Sequence, residues 1–142
     1  FILIADKIVK INKIIVKNFK KLLYFGFHTF NLLLIIFYLF PGSILGCYMY
    51  DNCHIQPQIT RNFLISSNHF YIFIILSTLG VLSYQKNYKI KILFRYLFLL
   101  SVILECLHLI VPNRGFEFND IFGNIFGVIL VLIFYKLIKR YA

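Results

Sequence analysis

Acidic residues are scarce: this 142-residue chain sets 5 Asp and Glu against 15 Lys and Arg, a formal charge of +10. Such an imbalance first suggests a polyanion-binding protein. A nucleic-acid binder, however, carries its bases on a folded soluble face, with aromatic or groove-reading elements between them. Here the bases gather in three clusters at the ends of apolar runs, as membrane topology arranges them, so no nucleic-acid partner is expected. Chemical motifs are missing too. No phosphate-cradling glycine loop, nucleophile motif or redox-ligation pattern occurs, and no cofactor is expected. What abounds is apolar surface. Hydrophobic residues make up 61% of the chain, against about 45–50% in soluble domains. A single domain of this length buries only a modest share of its surface, so lipid has to be the solvent for much of it.

Four apolar runs stand out, at Leu22–Phe40, Phe63–Tyr84, Ile92–Val111 and Ile121–Tyr135. About 20 residues cross a ~30 Å hydrocarbon core. The first three runs qualify, and the last reaches that length through Lys136 and beyond, with lysines snorkelling. The expected fold is therefore all-α: four transmembrane helices over residues 22–142, preceded by an interfacial helix over 1–21.

Charge sets the orientation. Asp6, Lys7, Lys10, Lys13, Lys17, Lys20 and Lys21 before the first run sum to +5; Lys86, Lys89, Lys91 and Arg95 give +4; Lys136, Lys139 and Arg140 give +3. The 41–62 connection, with Asp51 and Arg61, is neutral, and the 112–120 connection, with Arg114, Glu117 and Asp120, is at −1. Positive segments alternate with neutral ones, so both termini are expected in the cytoplasm of a bacterial cell membrane. In the first 22 residues Ile4, Ile8, Ile11, Ile15, Phe19 and Leu22 share one face and lysines fill the other. That pattern suits a helix lying on anionic inner-leaflet lipids, or docking on a partner subunit. It lacks the Arg and Ser of a mitochondrial presequence and the small-residue cleavage site of a secretory signal.

Ionisable groups inside a span are functional candidates by default. Glu105 lies about 10 Å below the outer end of its expected helix, seven residues before Pro112. Ser101 and His108 fall on its face by spacing. Asp120, Gly123, Asn124 and Gly127 share a face of the next helix, and Gly123 with Gly127 forms a small-xxx-small pair suited to close helix approach. His69 sits near the outer end of the second span, with Gly80 deeper on its face. His69, Glu105, His108, Arg114, Asp120 and Asn124 thus fall at one level in the outer half. His28 and Asn31 lie towards the other side and read as interhelical hydrogen-bonding groups.

The stretch from Glu105 through His108, Pro112, Arg114, Asp120, Asn124 and Gly127 resembles the signature of VanZ-like membrane proteins, a family named for a teicoplanin-resistance protein. The family pattern is a glutamate followed by glutamine, a Pro-x-Arg turn, then Asp and Asn-x-x-Gly opening the next helix. A histidine after Asp-Lys on the preceding helix completes it, and His69 stands in that place. The resemblance spans roughly residues 66–135. His108 replaces the usual glutamine and Ser67-Asn68 replaces Asp-Lys. It implies the fold and no defined reaction.

Each candidate has a structural reading beside the chemical one. Arg114 pairs with Glu117 or Asp120 to fix a turn, or clamps a phosphate or carboxylate. Asn119 and Asp120 stand where an N-cap is wanted. Glu105 locks helices through Asn124 or His108, or accepts a proton with His108 as partner. A metal site of His69, Glu105, His108 and Asp120 is geometrically feasible, but no ligand motif marks it and none is expected. Cys47 and Cys53 are either bridged or free, Cys106 is expected as a buried apolar residue, and His54 is left out of any ligand set. Two classes follow. One is a non-catalytic bundle, an accessory or structural subunit packed in a larger membrane complex. The other binds or modifies a lipid-linked or glycopeptide-like molecule at the outer leaflet through Glu105, His108, Arg114 and Asp120. The first is the expectation adopted.

Overall fold

The computed structural model describes residues 2–61, 64–84 and 87–141, with side chains from Lys10 onward except Asn87. Phe63 and Lys86, and the side chains of Ile4, Asp6, Lys7 and Ile8, lie outside that description. Among the described residues the chain is all-helical, with five helices and no strand: α1 (Ile2–Leu39), α2 (Ile44–Tyr50), α3 (Ser67–Ser83), α4 (Asn87–Leu107) and α5 (Phe118–Tyr141). Two helical segments, Lys10–Leu39 and Phe118–Tyr141, are long and apolar enough to cross a membrane; the apolar α3 is shorter, at 17 residues.

The helix ends follow local chemistry. Nothing between Ile2 and Leu39 breaks a helix, so α1 runs on through Leu22 without a joint between its basic and apolar halves. It stops at Pro41-Gly42, where Pro lacks an N–H and Gly42 takes φ +89°. The short α2 was not expected from periodicity. Ser43 caps it by accepting from the Gly46 N–H at 3.0 Å, and Asp51 ends it in the left-handed conformation. A Cys47–Cys53 disulfide and a 2.7 Å bond from Ser43 N–H to the Cys53 carbonyl close this cap on itself.

The third run is displaced from its expected bounds. α4 starts at Asn87 and ends at Leu107, because the chain tightens there into turns in which His108, Leu109 and Ile110 donate three residues back. His108 therefore stands beyond the helix that bears Glu105.

The C-terminal end of α1, the N-terminal end of α3, the C-terminal end of α4 and the N-terminal end of α5 meet at one end of the bundle, so neighbouring helices alternate in direction. α3 packs closest on α5. Cβ atoms at Gly123 and Gly127 would fall 2.8 Å from the Ser66 carbonyl oxygen and 2.7 Å from that of Phe70, so these positions bring the two backbones together. Gly80 leaves room for Leu93 and Phe27. Phe27, Leu34, Phe73, Leu76, Leu97, Leu104 and Val128 fill the centre. Cys106, expected inside, is exposed. One residue beyond the buried Glu105, the helical rotation of about 100° carries it to the outside.

At the far end, His28 Nε2 meets the Tyr84 hydroxyl at 2.9 Å and Asn31 Nδ2 donates to the Tyr96 hydroxyl at 2.6 Å, so both act as interhelical groups.

Candidate functional site

Five polar side chains are fully or almost fully buried where the four long helices converge: His69, Ser101, Glu105, His108 and Asn124. They are not independent. Asn124 donates through Nδ2 to the Ser101 carbonyl at 3.2 Å, which turns its Oδ1 towards α1 and α3. The Tyr38 hydroxyl donates to that oxygen at 2.7 Å and lies 2.8 Å from His69 Nδ1. On its other edge, His69 Nε2 stands 3.2 Å from Asp120 Oδ2. Glu105, with no exposed surface, accepts on Oε1 from the Glu117 backbone N–H at 2.9 Å. Its Oε2 lies 3.2 Å from His108 Nδ1, while His108 Nε2 is 3.0 Å from the Tyr38 carbonyl oxygen. The His108 ring stacks on Tyr38 with centroids 5.6 Å apart.

Several sequence expectations change here. The carboxylates of the cluster lie against histidines, Asp120 against His69 and Glu105 against His108, whereas Arg114 serves another element. Its Nε and Nη2 donate to the Phe40 and Phe37 carbonyls at 3.3 and 3.0 Å, satisfying acceptors that the C-terminus of α1 leaves open. Partial burial pulls the Arg114 guanidinium below its ordinary pKa, and the charges of Asp120 and Glu105 oppose that shift. Asn124 bonds Ser101 and Tyr38 rather than Glu105. Asp120 is not the cap: α5 begins at Phe118, Asp120 lies in its first turn, and Glu117 supplies the carbonyl for the Asp120 and Ile121 N–H groups. Asn119 instead offers its carbonyl to Ser66 N–H at 3.2 Å, tying the starts of α3 and α5.

Tyr38 is the residue that sequence reasoning missed. Its one signal is a phenol at the end of an apolar run, where burial obliges the hydroxyl to find a partner.

Two cavities open beside the cluster. One, of about 220 Å³, is walled by apolar Phe37, Ile44, Leu45, Ile59 and Ile72, with Tyr38, His69, His108 and Arg114 along it. The other, of about 150 Å³, is polar, with Ser43, His54, Asn113, Glu117 and Asp120. Ser43, Gln56, His108 and Arg114 line both. The α2 cap and the 52–59 segment roof them. Comparisons with family models, with curated proteins and with solved structures return no match for this chain.

Proposed function

We propose that this chain is a four-span membrane protein that holds a lipid-linked or glycopeptide-like molecule at the outer face of a bacterial cell membrane. The observation that carries this reading is the junction of the two cavities. An apolar slot and a polar slot share Arg114 and His108, so one molecule with a chain at one end and a hydrogen-bonding headgroup at the other can fill both. Arg114, whose Nε and Nη2 hold the end of α1, brings its remaining guanidinium N–H groups and its charge to a phosphate or carboxylate, and Asp120 with Ser43 accepts or donates to hydroxyl and amide groups. The signature-like spacing of Glu105, Pro112, Arg114, Asp120 and Asn124 fits the same envelope setting.

The outer surface supports four spans. All four long helices present large apolar residues outward, among them Leu32 and Ile36 on α1, Ile75 on α3, Leu99 and Ile103 on α4, and Phe122 and Phe134 on α5. The 17-residue α3 covers about 26 Å and the 21-residue α4 about 32 Å, close to the hydrocarbon thickness. The lysine clusters then lie on the cytoplasmic side and the cavities on the outer side.

A second reading, an accessory subunit in a larger membrane complex, is favoured by the first half of α1. Ile11, Ile14, Ile15, Phe19 and Leu22 are exposed there between lysines, a face suited to anionic lipid or to another subunit.

Purification in mild detergent, with mass spectrometry of everything that co-migrates, separates the two. The first reading expects a lipid-linked species retained by the parent protein and lost in Arg114→Ala. Stoichiometric recovery with a larger assembly, with no retained amphiphile, would install the second.

A further inference from the structure

The hydrogen bonds of the buried cluster fix the direction of its donors and acceptors. The Asn124 amide is oriented by its bond to the Ser101 carbonyl, so the Tyr38 hydroxyl spends its only hydrogen on Asn124 Oδ1. The Tyr38 oxygen can then only accept from His69 Nδ1, 2.8 Å away. His69 thus carries a ring hydrogen on Nδ1, and in its neutral form presents a lone pair from Nε2, directed at Asp120 Oδ2 across 3.2 Å. His108 repeats the arrangement. A backbone carbonyl is an acceptor only, so His108 Nε2 is an N–H, and in the neutral ring Nδ1 is then the lone pair, 3.2 Å from Glu105 Oε2. Two imidazole lone pairs therefore face two carboxylate oxygens. Glu105 Oε2 and His108 Nδ1 are buried and form no hydrogen bond. Buried polar atoms are rarely left so without a partner.

We propose that a divalent transition-metal ion of the zinc type fills this position, held by His69 Nε2, Glu105 Oε2 and Asp120 Oδ2. One ligand atom from each of these residues lies within 4.8 Å of the others. Tetrahedral bonds of about 2.0–2.1 Å place ligand atoms about 3.3 Å apart, close to the 3.2 Å already separating His69 and Asp120. The surroundings have the form of a ligand support. His69 gives its outer N–H to Tyr38, and Glu105 is held on its other oxygen by the Glu117 N–H, both of which fix ligand direction. Two carboxylates balance a 2+ charge in a dry setting. A mixed imidazole and carboxylate set suits zinc, manganese or iron rather than a soft monovalent ion. Asp120 lines the polar cavity and His69 the apolar one, so the fourth coordination position opens onto the cavities, beside His108. No ligand motif signals the site because its ligands come from three different helices.

The proposal is independent of the amphiphile reading, and its test reads metal alone. The full chain, free of any polyhistidine tag and carrying Cys106→Ala to remove the free thiol, is titrated with zinc in mild detergent. One zinc per chain is expected, together with a zinc-dependent rise in unfolding temperature. Glu105→Gln and His69→Gln should each weaken zinc at least about tenfold, whereas His108→Gln should still bind one zinc. Equal zinc affinity in the parent and in Glu105→Gln, or no stoichiometric zinc in the parent, overturns the proposal. Should a ligand variant fail to fold, cobalt added to the Cys106→Ala protein decides. Intense four-coordinate absorption supports the site, and a spectrum unchanged from aqueous cobalt sinks it.

Discussion

At the scale of single residues, Tyr38 has more depending on it than any charged side chain. Its hydroxyl joins α1 to α3 through His69 and to α5 through Asn124, and its backbone carbonyl orients His108. Tyr38→Phe keeps the ring and its stack on His108 but removes the central donor and acceptor. Asn124 Oδ1 and His69 Nδ1 can still meet, being 3.2 Å apart, so the loss is partial. The expected cost is about 1–2 kcal/mol of stability, the range for one buried hydrogen bond with incomplete compensation. Thermal unfolding in detergent should show a clear fall for Tyr38→Phe and almost none for Tyr48→Phe, whose ring is exposed on α2. Equal stability of the two variants would remove Tyr38 from the centre of the network.

At the scale of elements, the tightest seam is α3 on α5. Gly123→Ala and Gly127→Ala drive a methyl against the backbone carbonyls of Ser66, which caps α3, and of Phe70 within it, neither of which can swing aside as a side chain would. Each should cost about 1–3 kcal/mol, the usual penalty of overpacking. Gly26 is the internal control. Nothing lies within 4 Å of a Cβ built there, so Gly26→Ala should stabilise α1 by up to about 1 kcal/mol through helix propensity alone. Unfolding midpoints that moved the same way at positions 26 and 127 would deny the close approach. The glycine pair could be read from sequence because its four-residue spacing is a local pattern. The long helices could be read as well, since each is a sustained apolar run. α2 could not: seven residues give too little periodicity, and a cap, a left-handed residue and a disulfide hold it instead. The true partners of Asn124 and Arg114 were equally out of reach. Spacing says which residues share a face, whereas partners depend on how neighbouring helices are rotated and where α4 stops. His108 shows this plainly: one residue past Leu107, it leaves the helix and finds the α1 carbonyl at Tyr38.

At the scale of the whole molecule, one question of direction governs every functional statement. The polar cluster, both cavities and the disulfide-closed α2 cap share one end of the bundle, and the exposed lysines of α1 precede the opposite end. If lysine-rich segments stay in the cytoplasm, that cluster faces outward. A disulfide between Cys47 and Cys53 agrees with this direction, because oxidising compartments keep such bonds. Single reporter cysteines can test it in a background of Cys47→Ser, Cys53→Ser and Cys106→Ala. Tyr48→Cys, at a position 88% exposed on the cap, should react with a membrane-impermeant maleimide on intact cells. Lys13→Cys, exposed in the basic half of α1, should react only after the membrane is opened. The reversed pattern would put the cavities in the cytoplasm, and the ligand would then have to be sought among molecules of the inner leaflet. Labelling of both sites on intact cells would mean that the chain does not cross the membrane an even number of times with its basic ends inside. In that case α1 would not cross, and its exposed Leu32 and Ile36 would need a cover other than the hydrocarbon core.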